Sequence, residues 1–84
     1  METILLHLSM KRLSELEPGQ KAIIHSFEND EIFLKLMEMG CVPGEEVTVE
    51  MQAPLGDPIS IKVAGYQLSL RIEEAQSILV KSPN

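Results

Sequence analysis

Two runs of alternating residues, 46–52 and 59–63, constrain the fold of this chain more than any other feature. Side chains on a strand point alternately to opposite faces, so alternation of apolar and polar residues indicates a half-buried β-strand. The predicted core-facing set is Val47, Val49, Met51, Ile59, Ile61 and Val63. Pro54, Gly56 and Pro58 separate the two runs, and such residues interrupt a strand and form connecting loops. The pattern therefore predicts a β-hairpin whose loop is stiff and longer than a two-residue turn.

The size and charge of the chain narrow the classes of function. Its 84 residues suffice for one small domain, and its formal net charge is -6. Thirteen acidic residues outnumber seven basic ones, whereas phosphate binding relies on lysine and arginine. One Tyr, two Phe and no Trp also leave few rings on which bases could stack. We therefore expect no nucleic-acid partner.

The cysteine count and the first residues bear on location. A single cysteine, Cys41, excludes an internal disulfide and fits a reducing compartment. The apolar run at residues 1–8 starts with an acid and is too short for a signal peptide or a membrane span. We expect a soluble cytoplasmic chain that does not itself span the membrane, although its partner could.

The remaining segments alternate between strands and short helices. One α-helix is predicted at about residues 30–40, ended by Gly40 and Pro43, and helical turns are predicted near residues 3–10, 13–16 and 72–75. Strands are predicted at 20–27, 66–71 and 78–81 in addition to the hairpin. About five strands in so short a chain favour a mainly β fold, a partly closed antiparallel barrel with one inserted helix.

The predicted strand at residues 20–27 is apolar on both faces. Ala22 and Ile24 are assigned to one face, and Ile23, His25 and Phe27 to the other. We expect the first face to line the core and the second to be covered by the inserted helix.

No residue pattern typical of catalysis occurs, and we expect the protein not to be an enzyme. His7 and His25 lack an acidic motif nearby, and Cys41 has no positively charged neighbour that would activate its thiol. Weak transition-metal binding by His25 and Cys41 is left open, but no cofactor is expected. The carboxylates at 28–31 are interpreted as helix capping, and Glu73 and Glu74 as solvated charges.

Four segments in a fixed order carry a pattern that extends over most of the chain. They are Leu13-Ser-Glu-Leu-Glu-Pro-Gly-Gln-Lys-Ala, Glu38-Met-Gly-Cys-Val-Pro-Gly-Glu-Glu-Val-Thr-Val, Ala53-Pro-Leu-Gly-Asp-Pro-Ile, and Gly65-Tyr-Gln-Leu-Ser-Leu-Arg-Ile-Glu-Glu-Ala with Ile78-Leu-Val. This order and spacing resemble the ferrous iron transport protein A (FeoA) family. The resemblance implies an SH3-like barrel at residues 12–81, preceded by an extension at 1–11 and followed by a tail at 82–84. It also implies a cytoplasmic accessory protein of bacterial ferrous iron uptake.

The partner implied by the resemblance is the cytosolic GTPase region of a FeoB-type membrane transporter, which would recruit the protein to the inner face of the membrane. The predicted partner-binding residues are those of the hairpin loop: Pro54, Leu55, Gly56, Asp57 and Pro58. Leu55 either enters a pocket of the partner or closes the mouth of the barrel, and both interpretations stay open. Exposed strand edges also allow a homo-oligomer.

Two alternative functions are carried forward. The first is a metal-responsive sensor that binds a transition metal directly, with His25 and Cys41 as ligands. The second is a GTPase-activating protein in the strict sense, which would have to present an arginine to an active site. Arg12 and Arg71 are the only arginines available for that role.

Overall fold

In a computed structural model, residues 10–83 are described, and they form one antiparallel sheet of six strands with two α-helices and a 3-10 helix. The elements are β1 (Lys11–Arg12), the 3-10 helix (Leu13–Glu15), β2 (Lys21–Phe27), α1 (Asp30–Glu38), β3 (Glu46–Gln52), β4 (Ile59–Val63), β5 (Tyr66–Leu70), α2 (Ile72–Gln76) and β6 (Ile78–Lys81). Their order in the sheet is β1-β6-β2-β3-β4-β5. The predicted mainly β fold with an inserted helix is confirmed. The helical turn predicted at 3–10 falls, except for residue 10, outside the described residues.

The sixth strand, β1, was not predicted. It contains two residues and pairs with β6 alone, Lys11 opposite Val80 and Arg12 opposite Leu79. Its formation depends on a partner almost seventy residues away, so no local alternation announces it.

The core lies on one face of the sheet. Side chains from β2 to β6 meet there with residues of the connecting segments, and the buried apolar set is Leu13, Leu16, Ala22, Ile24, Leu36, Cys41, Val47, Val49, Ile59, Ile61, Val63, Leu70, Ala75, Ile78 and Val80. Full burial of each large aliphatic side chain contributes roughly 1.5–3 kcal/mol. Within residues 10–83 the six strands form one sheet, and it buries its apolar face by curling around the core, as in an SH3-like barrel.

Two β-bulges shift the alternation on which the predicted faces depended. In β2 the register shifts at His25, so that Phe27 pairs with Ile78 and packs against the core instead of sharing the face of Ile23. The residue His25 itself is exposed rather than covered by the inserted helix. In β3 the shift falls at Glu50, and Met51 beyond it lies on the outer face with 66 % of its surface exposed. The assignment of Met51 to the core was therefore wrong.

Helix α1 begins and ends as its sequence predicts. Asn29 caps its first turn, where Oδ1 accepts the Glu31 N–H at 2.9 Å. Gly40 has φ +103°, and the next residue, Cys41, donates its N–H to the Leu36 carbonyl at 2.9 Å, which completes a Schellman motif. Leu36 and Cys41 are both fully buried, so the end of the helix is fixed to the core. Neither α-helix within residues 10–83 has the length and apolar composition needed to cross a bilayer.

Helix α2 carries a buried charge that the sequence interpretation treated as solvated. Glu74 is 5 % exposed, and its Oε2 accepts a hydrogen bond from Lys35 Nζ at 2.7 Å. Its Oε1 accepts the Arg71 N–H at 2.9 Å. The Lys35 hydrogen bond lowers the pKa of Glu74 below its ordinary value of 4.5, against the opposing effect of burial. The two helices, 39 positions apart at this contact, are thereby joined.

In the turn between β4 and β5, Ala64 adopts a backbone conformation that is unfavourable for a residue with a Cβ atom. Ala64 has φ +52° and is followed by Gly65 at φ +82°, the pair of positive values typical of a type I′ hairpin. An L-residue with a Cβ atom pays roughly 1–2 kcal/mol in this region, whereas asparagine tolerates it better. We expect Ala64→Asn to raise the free energy of unfolding by about 0.5–1 kcal/mol, measured by urea denaturation. Ala64→Val, with a β-branched side chain, should lower it; stabilisation by both substitutions would contradict this account.

Candidate partner-binding site

The loop between β3 and β4, residues 53–58, contains all five residues predicted to bind a partner. Within it the Gly56 N–H donates to the Ala53 carbonyl at 2.7 Å, and the Ala53 N–H donates to the Pro58 carbonyl at 3.0 Å. From the end of β3, Gln52 Nε2 donates to the Gly56 carbonyl at 3.2 Å. Gly56 has φ +89°, which a residue without Cβ adopts at no steric cost. These bonds close the loop on itself, so its backbone is ordered without a partner.

Asp57 fastens this loop to helix α2. Its Oδ1 accepts the N–H of Ile72 at 3.0 Å, and Ile72 is the first residue of α2, where backbone N–H groups have no helical partner. A shallow depression beside the loop is lined in part by Pro58 and Arg71. Asp57 thus positions the loop against the barrel, and its role as a contact residue stays a prediction. The sequence offered no signal for this bond, because Asp57 and Ile72 lie 15 positions apart.

Leu55 projects from the ordered loop into solvent. Its exposed fraction of 96 % is the highest among the large apolar side chains of residues 10–83, so Leu55 does not close the mouth of the barrel. Isolated apolar residues on a surface are common, and exposure alone does not define a site. Here a second apolar side chain, Met51, is exposed on the same hairpin. The hairpin therefore presents two apolar groups on a backbone fixed by hydrogen bonds.

The two residues suggested as metal ligands lie in different environments. Cys41 is fully buried, and burial, together with the charge of Glu74, raises the pKa of its thiol to about 11. Metals bind the thiolate, which such a pKa disfavours. His25 is exposed, with Nδ1 2.9 Å from Ser26 Oγ. Among the described residues no three or more His, Cys, Asp or Glu side chains are grouped so that they could hold a metal ion.

One of the two arginines is engaged within the fold. Arg12 Nη1 donates to the carboxylate of Glu28 and, at 2.8 Å, to the Gln76 carbonyl at the end of α2. The Arg12 N–H also donates to Glu15 Oε1 at 2.7 Å. Arg12 thereby ties β1 to the strand and helix ends around it, and Arg71 is exposed as well.

Comparison with known proteins relates this barrel to proteins of iron transport. The FeoA domain family matches residues 11–82. A Porphyromonas gingivalis protein named as a fusion of Fe(2+) transport protein A and Fe(2+) transporter FeoB is 44 % identical over 71 residues; the match covers 83 % of this chain and 8 % of that protein's length. The NMR structure of a FeoA-like protein from Clostridium acetobutylicum is 38 % identical, with 90 % of each chain covered and a TM-score of 0.83.

A third comparison adds a ligand and a fold description. The crystal structure of Stenotrophomonas maltophilia FeoA, described as an SH3 domain protein in complex with zinc, is 36 % identical and has a TM-score of 0.74. The match covers 84 % of this chain and 89 % of the Stenotrophomonas maltophilia chain. The family match over nearly the whole chain, the relatives above 30 % identity and the shared barrel confirm the resemblance seen in the sequence: this chain belongs to the FeoA domain family.

Proposed function

We propose that this protein is an accessory protein of bacterial ferrous iron uptake that docks on the cytosolic GTPase region of a FeoB-type transporter and modulates it. The observation that carries the proposal is the Porphyromonas gingivalis relative, whose name describes FeoA and FeoB joined in one polypeptide. Joining two domains raises their effective concentration for one another, which is advantageous for partners that act together. Where the two domains lie on separate chains, they must instead bind through a surface.

The hairpin loop is the surface that best suits such docking. Its hydrogen bonds and the Asp57 anchor fix the backbone that carries Leu55, so little backbone entropy is lost when the side chain enters a pocket. Apolar side chains buried at the centre of an interface dominate its binding energy. Docking at this loop would place the protein in the cytoplasm, at the inner face of the membrane.

We further propose that the protein acts without catalysing a reaction. Cys41, the single thiol of the chain, is buried and protonated at neutral pH. Arg12 is held by Glu28 and Gln76, so its release to act in a partner's active site would break bonds within the fold. Modulation of the transporter would therefore follow from shape and charge at the interface.

The direct test is binding to the isolated cytosolic GTPase domain of the transporter from the same organism. Titration by calorimetry, with the domain loaded with GDP or with a non-hydrolysable GTP analogue, should show saturable binding whose affinity differs between the two states. A difference is expected because a modulator must bind one functional state more tightly than the other. Absence of binding in both states, with a correctly folded GTPase domain, would contradict the proposal.

The metal-sensor alternative draws on the zinc complex of the Stenotrophomonas maltophilia relative. The described donors of this chain do not fit a resident metal, because the Cys41 thiol is buried and protonated while His25 stands on the outer surface. Anaerobic calorimetry with Fe(II) decides between the two functions. Saturable binding that is lost in His25→Ala or Cys41→Ser would favour the sensor.

A further inference from the structure

A cleft with a volume of about 180 Å³ opens where three neighbouring strands meet at one end of the sheet. Lys11 of β1, Lys21 at the start of β2 and Lys81 at the end of β6 contribute to its lining. Leu16, Ala22 and Val80 also contribute to the lining, but they belong to the buried core and are at most 7 % exposed. We refer to these six residues as the lysine cleft.

The charge of the lysine cleft is opposite to that of the whole chain and is not neutralised within residues 10–83. Three of the seven basic residues line it, although the formal net charge is -6. In this part of the chain, ion pairs join Arg12 to Glu28 and Lys35 to Glu74, and no lysine of the cleft takes part in one. Among the described residues, none of those that line the cleft is acidic. Glu45 and Glu46 border Lys21 in an adjacent depression, without forming an ion pair with it.

We infer that the lysine cleft binds a short acidic peptide segment of a protein partner. Glutamate or aspartate carboxylates of the peptide would pair with the ammonium groups of the three lysines, which are all exposed. Three positive charges at one end of the sheet favour an anionic occupant, since bound carboxylates would neutralise them. The inference concerns a surface separate from the hairpin loop and stands whether or not FeoB is the partner.

The dimensions and composition of the cleft disfavour other anions. Cofactor sites usually occupy roughly 300–1,000 Å³, so a volume of about 180 Å³ suits side chains rather than a nucleotide. The lining residues that the structure describes include no aromatic ring on which a base could stack. A concave surface on a negatively charged protein is also poorly suited to a flat anionic bilayer, which attracts projecting basic segments.

Fluorescence anisotropy with a labelled hexaglutamate peptide tests the inference on the 84-residue chain, with hexaglutamine as the uncharged reference peptide. We expect saturable binding to hexaglutamate that weakens as NaCl is added, since salt screens exposed charges. Lys11→Glu combined with Lys81→Glu should weaken binding by about tenfold or more, because two attractions become repulsions. Lys81→Arg, which keeps the charge, should retain binding.

Lys62→Glu is the matched control, because Lys62 is an exposed lysine on β4 that does not line the cleft. The affinity of the Lys62→Glu variant for hexaglutamate should stay within about twofold of the wild-type value, as expected for a charge outside the contact. Circular dichroism verifies that the double variant is folded; if it is not, Lys81→Gln alone should still weaken binding measurably. Hexaglutamate bound no more tightly than hexaglutamine, or an equal loss in Lys62→Glu, would overturn the inference. So would tighter binding of phosphatidylserine vesicles or single-stranded DNA through the same lysines.

Discussion

Leu55→Asp is expected to weaken binding to the FeoB-type GTPase domain by about 10- to 100-fold, which corresponds to about 1.4–2.7 kcal/mol. The side chain is almost fully exposed in the free protein, so the substitution removes no packing from the core. In the complex, a carboxylate in an apolar pocket would lose its hydration without gaining a partner. The free energy of unfolding should change by less than about 0.5 kcal/mol, as is usual for an exposed position. Calorimetric titration and urea denaturation of the same preparation measure the two quantities.

Tyr66→Asp is the matched control for this prediction. Tyr66 is also a large, exposed side chain, but it begins β5 next to the Ala64–Gly65 turn and not in the hairpin loop. The substitution adds the same negative charge, so a general electrostatic repulsion between the two proteins would weaken binding in both variants. Unchanged affinity in Leu55→Asp, or equal losses in the two variants, would remove Leu55 from the interface.

The substitution Asp57→Ala distinguishes the residue that anchors the loop, Asp57, from the residue proposed to contact the partner, Leu55. Loss of the 3.0 Å bond to the Ile72 N–H should loosen the loop backbone, and with it the position of Leu55, without altering the Leu55 side chain itself. The sequence interpretation grouped both residues as one site, because both lie between the prolines. Their different roles emerge from a contact between segments far apart in the chain.

Local patterns predicted the parts of the fold that depend on local chemistry. The pair Gly40 and Cys41 predicted the end of α1 correctly. The left-handed conformation of Gly40 and the bond from Cys41 to Leu36 involve only residues close in sequence. Alternation likewise located β3 and β4. It failed at Met51, because a bulge at Glu50 inserts one residue and reverses the faces beyond it. Nothing in the alternation reveals a bulge before the pairing strand is known.

The features that depend on distant partners were beyond the reach of the sequence. Lys11, Lys21 and Lys81 are scattered along the chain and converge only because β6 inserts between β1 and β2. In the sequence, Glu74 cannot be distinguished from the exposed acidic residues, because its partner Lys35 lies 39 positions away. The sequence predicted the candidate site as a loop. The hydrogen bonds within the loop, its anchor Asp57 and the second exposed apolar residue, Met51, are visible only in the structure.

Glu74→Gln is expected to lower the free energy of unfolding by about 2 kcal/mol at pH 7. The glutamine amide keeps one oxygen, which can still accept the Arg71 N–H. Its NH₂ group takes the place of the carboxylate oxygen that accepts from Lys35, and two donors would then face each other. A hydrogen bond to a charged group contributes about 1.5–3 kcal/mol, and we take a value toward the lower end because the Lys35 side chain is 60 % exposed. In a domain of this size 2 kcal/mol corresponds to a decrease in Tm of roughly 8–16 °C.

A double-mutant cycle with Lys35→Met isolates the contact between the two helices. Lys35→Met alone leaves the buried carboxylate with its bond from the Arg71 N–H but without its cation. If Lys35 and Glu74 stabilise the fold through each other, the double variant should be more stable than the sum of the single effects predicts, by about 1 kcal/mol. Strict additivity would show that the cost of Glu74→Gln arises elsewhere, for example in the turn at Arg71.

The pH dependence separates the charge of Glu74 from its shape. A carboxyl group whose pKa is lower in the folded state stabilises the fold above its unfolded value, here the ordinary 4.5, and this contribution is lost as pH falls through the folded pKa. The stability difference between wild type and Glu74→Gln should therefore be constant near neutral pH and should shrink below pH 4.5. Urea denaturation of both proteins across this range measures the difference, in which the titration of the other acidic residues cancels. A difference that persists unchanged at the lowest pH would mean that the carboxylate charge does not stabilise the contact between α1 and α2.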